Sequence, residues 1–172
     1  MWFLRFEWAA APSLARILAP GMALYRSEDC TEGCAYLDHE PPPWPIDRGT
    51  ALVRLRTLRV LPGAASGRDA PWHYVVATDV AAGHDEDFNA WYDNEHLPGL
   101  AAVPATVRAA RHRVVDGIGP LYHAAYDLAD RSALDSPEWL AVRATPWSSR
   151  VRPHFLNTRR TMYRRACPGE AA

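Results

Sequence analysis

Between residues 72 and 166 of this 172-residue chain the hydrophobic period changes repeatedly, and the order of those changes restricts the topology more than any short motif does. Residues 72–79 (WHYVVATD) read as a strand and residues 85–96 as an amphipathic helix. Residues 106–115 and 121–128 read as two strands joined by the turn DGIGP at 116–120. Two short helices follow, each marked by a hydroxyl residue before a proline, at Ser136-Pro137 and Thr145-Pro146. Residues 156–166 form a last strand, polar on both faces, for which the expectation is a sheet edge or an oligomer contact. The order is β-α-β-β-α-β, that of an α+β unit.

The first part of the chain carries weaker signals. Strands are expected over 1–8, 22–26, 34–38 and 51–60, with at most a short helix over 13–18. The run PPPWP at 41–45 forces an extended connection, and GAASGRDAP at 63–71 has a linker's composition. An internal repeat is visible: LARILAPGMALYRSED parallels GLAAVPATVRAARHRV at 99–114, CAYLDHEP parallels YHAAYDLAD, and VRLRTLRV parallels the final strand. On this reading residues 1–66 are a divergent half with eroded helices, and residues 67–172 are the half that keeps a candidate site.

That site lies on the helix. Asp85 has the chemistry of an N-cap, and Glu86 and Asp87 place negative charge in the first turn, where the helix dipole favours it. At 100° per residue, Phe88, Trp91, Tyr92 and Glu95 share a face, His96 flanks it, and Pro98-Gly99 stops the helix. A carboxylate among aromatic rings is poorly solvated, which raises its pKa. An imidazole at a helix C-terminus beside that carboxylate is expected as imidazolium. Such a pair moves protons near neutral pH; alternatively, Glu95 only caps a backbone donor and His96 only bonds the turn.

Composition excludes other chemistry. All nineteen basic residues are Arg, so Schiff-base lysine chemistry and a P-loop lysine are absent. The net charge of −1 gives no reason to expect nucleic acid. Three cysteines, an N-terminus broken by Arg5 and Glu7, and no long apolar run point to a cytoplasmic protein off the membrane. The spacing of Cys30, Cys34 and His39 is off the usual zinc patterns, so no metal is expected.

The segment FNAWYDNEHLPGLAAVP, followed by ARHR, LYHAAYDL, SPEW and TPWSSR, resembles the EthD-like proteins of the dimeric α+β barrel superfamily, over roughly residues 72–166. The resemblance implies a ferredoxin-like unit whose sheet pairs with a second one, in a homodimer or within one chain. It also implies a small-molecule pocket between sheet and helices, with His96 as proton donor or acceptor. Glu95 would modulate His96, while Phe88, Trp91, Tyr92, Arg111, Tyr126 and Trp147 would bind substrate. Strand alternation sends either Arg111 and Arg113 or His112 toward the helix, and puts His123 and Tyr126 on opposite faces. The leading expectation is a cofactor-independent enzyme isomerising, cyclising or dehydrating a small unsaturated or aromatic carbonyl compound. The alternatives are a cofactor-free monooxygenase of a phenol or anthrone, and a non-catalytic binder of a pathway intermediate.

Overall fold

The computed structural model describes residues 1–10, 23–40 and 50–166; the expected short helix at 13–18 and the proline run at 41–45 lie outside them. Four strands come first: β1 (Trp2–Glu7), β2 (Leu24–Ser27), β3 (Glu32–Leu37) and β4 (Ala51–Pro62). The next strand, β5 (Trp72–Val80), leads into a helical segment made of α1 (Asp85–Trp91), a π-helical turn (Tyr92–His96) and α2 (Leu97–Ala101). The hairpin β6 (Thr106–Gly117) and β7 (Tyr122–Leu128) follows, then α3 (Pro137–Arg143), α4 (Pro146–Val151) and β8 (Phe155–Arg165). Ser136 and Thr145 cap the two short helices as their sequences indicate, accepting from the N–H groups of Trp139 and Ser148.

The eight strands close a barrel in the order β1-β3-β2-β8-β5-β7-β6-β4, and every neighbouring pair is antiparallel. Within this ring the first four strands run β4-β1-β3-β2 and the last four run β8-β5-β7-β6, the same relative order twice. The arcs meet at two seams, β2 with β8 and β4 with β6. The expectation of an edge at β8 is therefore corrected. β8 pairs with β5 on one side and β2 on the other. It is polar on both faces because the barrel interior it meets is itself partly polar: Arg159 and Thr161 face inward there, while Arg160 faces the helices.

Alternation gives a core on each face of the sheet, and among the described residues a third apolar cluster forms around Leu4, Phe6 and Leu37 of β1 and β3. The outward residues of β5 and β7, among them Val76, Tyr122, Ala124 and Tyr126, pack with Phe88, Trp91, Leu97, Leu100 and Trp139 from the helices. The inward residues, Phe3, Tyr25, Cys34, Val53, Val75 and Tyr163, fill the barrel. Each large apolar side chain so buried contributes roughly 1.5–3 kcal/mol. Polar groups at one end of the lumen are chained together: Tyr36 Oη lies 2.9 Å from the buried His73 Nε2, His73 Nδ1 lies 2.6 Å from Asp127 Oδ1, and the exposed Arg108 donates to Asp127 at 2.7 Å. Burial alone would raise the Asp127 pKa, but His73 and Arg108 outweigh it and hold the carboxyl at about 2.

Candidate functional site

The helix on which the site was placed does not stop at Pro98. Leu97 N–H bonds the Tyr92 carbonyl five residues back, and the chain continues through α2 to Ala101. Pro98 sits in the first turn of α2, where a missing N–H matters least. The wide turn alters what each residue faces, because i and i+5 now lie over one another. His96 comes to rest on Trp91, its ring 4.0 Å away and nearly parallel at 23°. Glu95 turns off the aromatic stripe, stays half-buried, and accepts a 2.6 Å hydrogen bond from Thr145 Oγ1. No hydrogen bond or ion pair joins Glu95 to His96, which a uniform 100° projection sets side by side. Upstream, the N-cap is His84 rather than Asp85; the Asp85 carboxylate accepts from Tyr122 Oη at 3.0 Å.

A narrow cleft of about 30 Å³ lies between sheet and helices, room for one water-sized group. Trp91, Tyr92, His96 and Leu100 line it from the helix, and Tyr74, Val76 and Tyr126 from the sheet. Trp139 and Phe155 complete its apolar wall, and Arg143, Arg152 and Arg160 its charged one. His96 is 8% exposed, and its Nδ1 has no hydrogen-bond partner; Tyr126 Oη has only the Tyr92 hydroxyl beside it. Burial first, then the charges of Arg143 and Arg152, lower the His96 pKa to about 3. The imidazole is therefore neutral, which corrects the expected imidazolium. Burial also keeps the phenols protonated, with Tyr92 raised to about 12 and Tyr126 well above its ordinary value. Arg152 is held below its usual pKa by burial and by the charges of Arg143 and Arg160. Among the described residues no carboxylate forms an ion pair with any of these three guanidiniums.

Other expected substrate contacts have structural work instead. Arg111 does face the helices, but it is 1% exposed and sandwiched over Phe88, Tyr92 and Tyr122 at 4.5–5.1 Å. It donates to Asn89 Oδ1 at 2.6 Å and lies outside the cleft lining. Phe88 is fully buried beneath it, likewise outside that lining. Trp147 donates its indole N–H to Asp87 at 2.8 Å, and the tryptophans at the cleft are Trp91 and Trp139. His123 and Tyr126 do take opposite faces, Tyr126 toward the helices and His123 into the barrel. Sequence reasoning missed Tyr74, Arg143, Arg152 and Arg160. A usable signal existed for Arg160, which alternates with the lumen residues of β8, but the arginines on α3 and after α4 have ordinary surface spacing.

No protein-family profile and no curated protein sequence matches the chain. Solved structures do. An anthrone oxidase-like protein superposes with a TM-score of 0.66 at 12% identity, covering 96% of this chain and 90% of its own. A ferredoxin-fold protein from Listeria monocytogenes, related to antibiotic biosynthesis monooxygenases, gives 0.58 at 9% identity over 96% and 95%. The likeness is one of fold, shared with a ferredoxin-fold protein. A major regulator of staphylococcal pathogenesis shares this fold, at 0.62 and 8% identity over 96% and 99%, so the barrel does not by itself specify an activity. No helix among the described residues is long and apolar enough to cross a membrane.

Proposed function

We propose that this chain is a cofactor-free monooxygenase whose substrate is an ionisable phenol or anthrone, bound as its anion at the helix–sheet cleft. The observation that carries this is the cluster of Arg143, Arg152 and Arg160 around a neutral imidazole, three cations that no carboxylate among the described residues pairs with. Bringing like charges together is unfavourable, and an anion entering between them relieves it. Because the space inside is about 30 Å³, the substrate's oxygen enters while its rings stay at the mouth against the guanidinium planes and Phe155.

The same electrostatics assign the proton's path. The arginines lower the pKa of a bound phenol and oppose a charge on His96. His96 therefore accepts the proton only in passing. Tyr126 Oη, buried beside the Tyr92 hydroxyl, is the donor to the oxyanion on this reading. The electron-rich anion then reacts with dioxygen. For an anthrone, one oxygen atom becomes the new carbonyl and the other leaves as water with the two methylene hydrogens. The fold neighbours named for anthrone oxidation and for antibiotic biosynthesis monooxygenases favour this over isomerisation or cyclisation. The reading also takes residues 1–66 and 67–172 as two EthD-like ferredoxin units in one chain, the first standing where a homodimer has its second copy.

The test is oxygen consumption with a panel of anthrones and phenols, with and without air. Wild type is expected to turn over aerobically only. Arg152→Met should raise KM at least tenfold, and His96→Phe, which keeps the stack on Trp91, should lower kcat. Turnover at full rate under anaerobic conditions, or full activity in His96→Phe, refutes the proposal.

A further inference from the structure

A second cavity, of about 250 Å³, lies inside the barrel on the other side of the sheet from the cleft. It is lined from opposite walls, by Phe3 on β1 and Val53 on β4, and by Val75 on β5 and His123 on β7. An apolar cavity of about 150 Å³ already accommodates benzene, so this space takes a benzene ring with substituents. Its mouth is at the β6–β7 hairpin, where Ile118 is 93% exposed.

The polar groups of this space are arranged at two points. At one, Arg5 and Arg159 share a single buried carboxylate: Glu32 accepts from Arg5 at 3.4 Å, from Arg159, and from Tyr163 Oη at 2.7 Å. Two cations against one anion leave a surplus positive charge on the cavity wall. At the other, His123 is 5% exposed; the Pro120 backbone faces the imidazole, and neither ring nitrogen completes a hydrogen bond of full geometry. The Phe3 ring meets the imidazole edge-on at 5.2 Å and 77°, which holds the ring but satisfies neither nitrogen. A buried imidazole with neither nitrogen fully satisfied costs stability unless something polar reaches it.

We infer that the barrel lumen is a second small-molecule site, built for a planar aromatic monocarboxylate with a hydroxyl on the ring. The carboxylate pairs with Arg159 and Arg5, the ring lies among Phe3, Val53 and Val75, and the hydroxyl meets His123. Burial holds His123 neutral, its pKa near 4, so one ring nitrogen accepts and the other donates. This site is independent of the cleft and of the reaction proposed there.

The experiment is calorimetric titration of the full chain with 4-hydroxybenzoate, benzoate and benzyl alcohol. 4-Hydroxybenzoate should bind with a dissociation constant below about 1 mM, as its atom count permits. Benzoate should bind several-fold more weakly and benzyl alcohol at least tenfold more weakly. Arg159→Met, at a half-exposed position expected to tolerate change, should weaken 4-hydroxybenzoate at least tenfold. His123→Leu should erase its advantage over benzoate. His96→Phe should leave all three affinities unchanged, so failure of the cleft reading would not touch this result. Absence of binding, equal binding in Arg159→Met and His123→Leu, or loss of binding in His96→Phe would each overturn the lumen assignment.

Discussion

Lowering the pH from 8 to 5 should remove about 6 kcal/mol of stability through three buried histidines. His96 is held to about 3, and His112 and His123 to about 4, in each case by burial first. In the unfolded chain each returns to about 6.5. The folded pKa lies below the unfolded one, so the unfolded state takes up protons first as pH falls. The stability is therefore complete above the unfolded value and is lost on acidification between about 6.5 and the folded pKa. At pH 5 an unfolded histidine is almost fully protonated and the folded one is not, a difference of about 2 kcal/mol for each of the three. That sum is comparable to the whole stability of an ordinary domain, about 5–15 kcal/mol. Asp127 does not confuse the window, because its depressed carboxyl acts only below about pH 4. The assay is urea unfolding followed by tryptophan fluorescence at pH 8, 7, 6 and 5. His96→Phe removes one of the three groups and should reduce the loss to about 4 kcal/mol. An unfolding free energy that is flat from pH 8 to 5, or an imidazole resonance of His96 titrating near 6.5, would refute the reasoning.

Two substitutions test the scaffold that holds the cleft and lumen. Arg111→Met removes a charge-assisted bond to Asn89 and three ring contacts, while its ion-pair partner Asp93 is 45% exposed and easily resolvated. A loss of about 2–3 kcal/mol is expected in urea unfolding, and an unchanged midpoint would mean that burying this guanidinium costs as much as its contacts return. Gly117→Ala should cost about 1–3 kcal/mol, since Gly117 has φ +96° and a Cβ there would lie 2.5 Å from the Leu52 carbonyl oxygen. Thermal unfolding within a degree of wild type would contradict that.

The sequence made the strands and caps of the second half legible because period-two runs, turn residues and Ser/Thr-Pro pairs are local signals. Ser136 and Thr145 act where they stand, whatever the rest of the fold does. The site was less legible for a specific reason. A projection at 100° per residue assumes an unbroken α-helix, and the π-turn at Tyr92–His96 invalidates it at the two residues on which the chemistry was placed. Pro98 was read as a stop, whereas it lies just after the change of helical register. β8 was read as an edge because both its faces are polar, a local criterion that cannot report a polar lumen or a partner strand drawn from β2, more than a hundred residues earlier.

Having both arcs of the barrel in one chain permits an asymmetry that two identical copies cannot have. In a symmetric pair every lumen residue appears twice, so an acid on one wall is repeated on the other. Here Glu32, which pairs with Arg5 and Arg159, comes from the first arc, while His73, His112, His123 and Asp127 all come from the second. The cleft follows the same division, for Trp91, His96, Arg143 and Arg152 all lie between β5 and β8. Among the described residues one arc carries the helix–sheet cleft, and the other supplies Phe3, Arg5 and Glu32 to the interior. A lumen with distinct ends orients a bound molecule in a single direction, which a twofold-symmetric lumen does not.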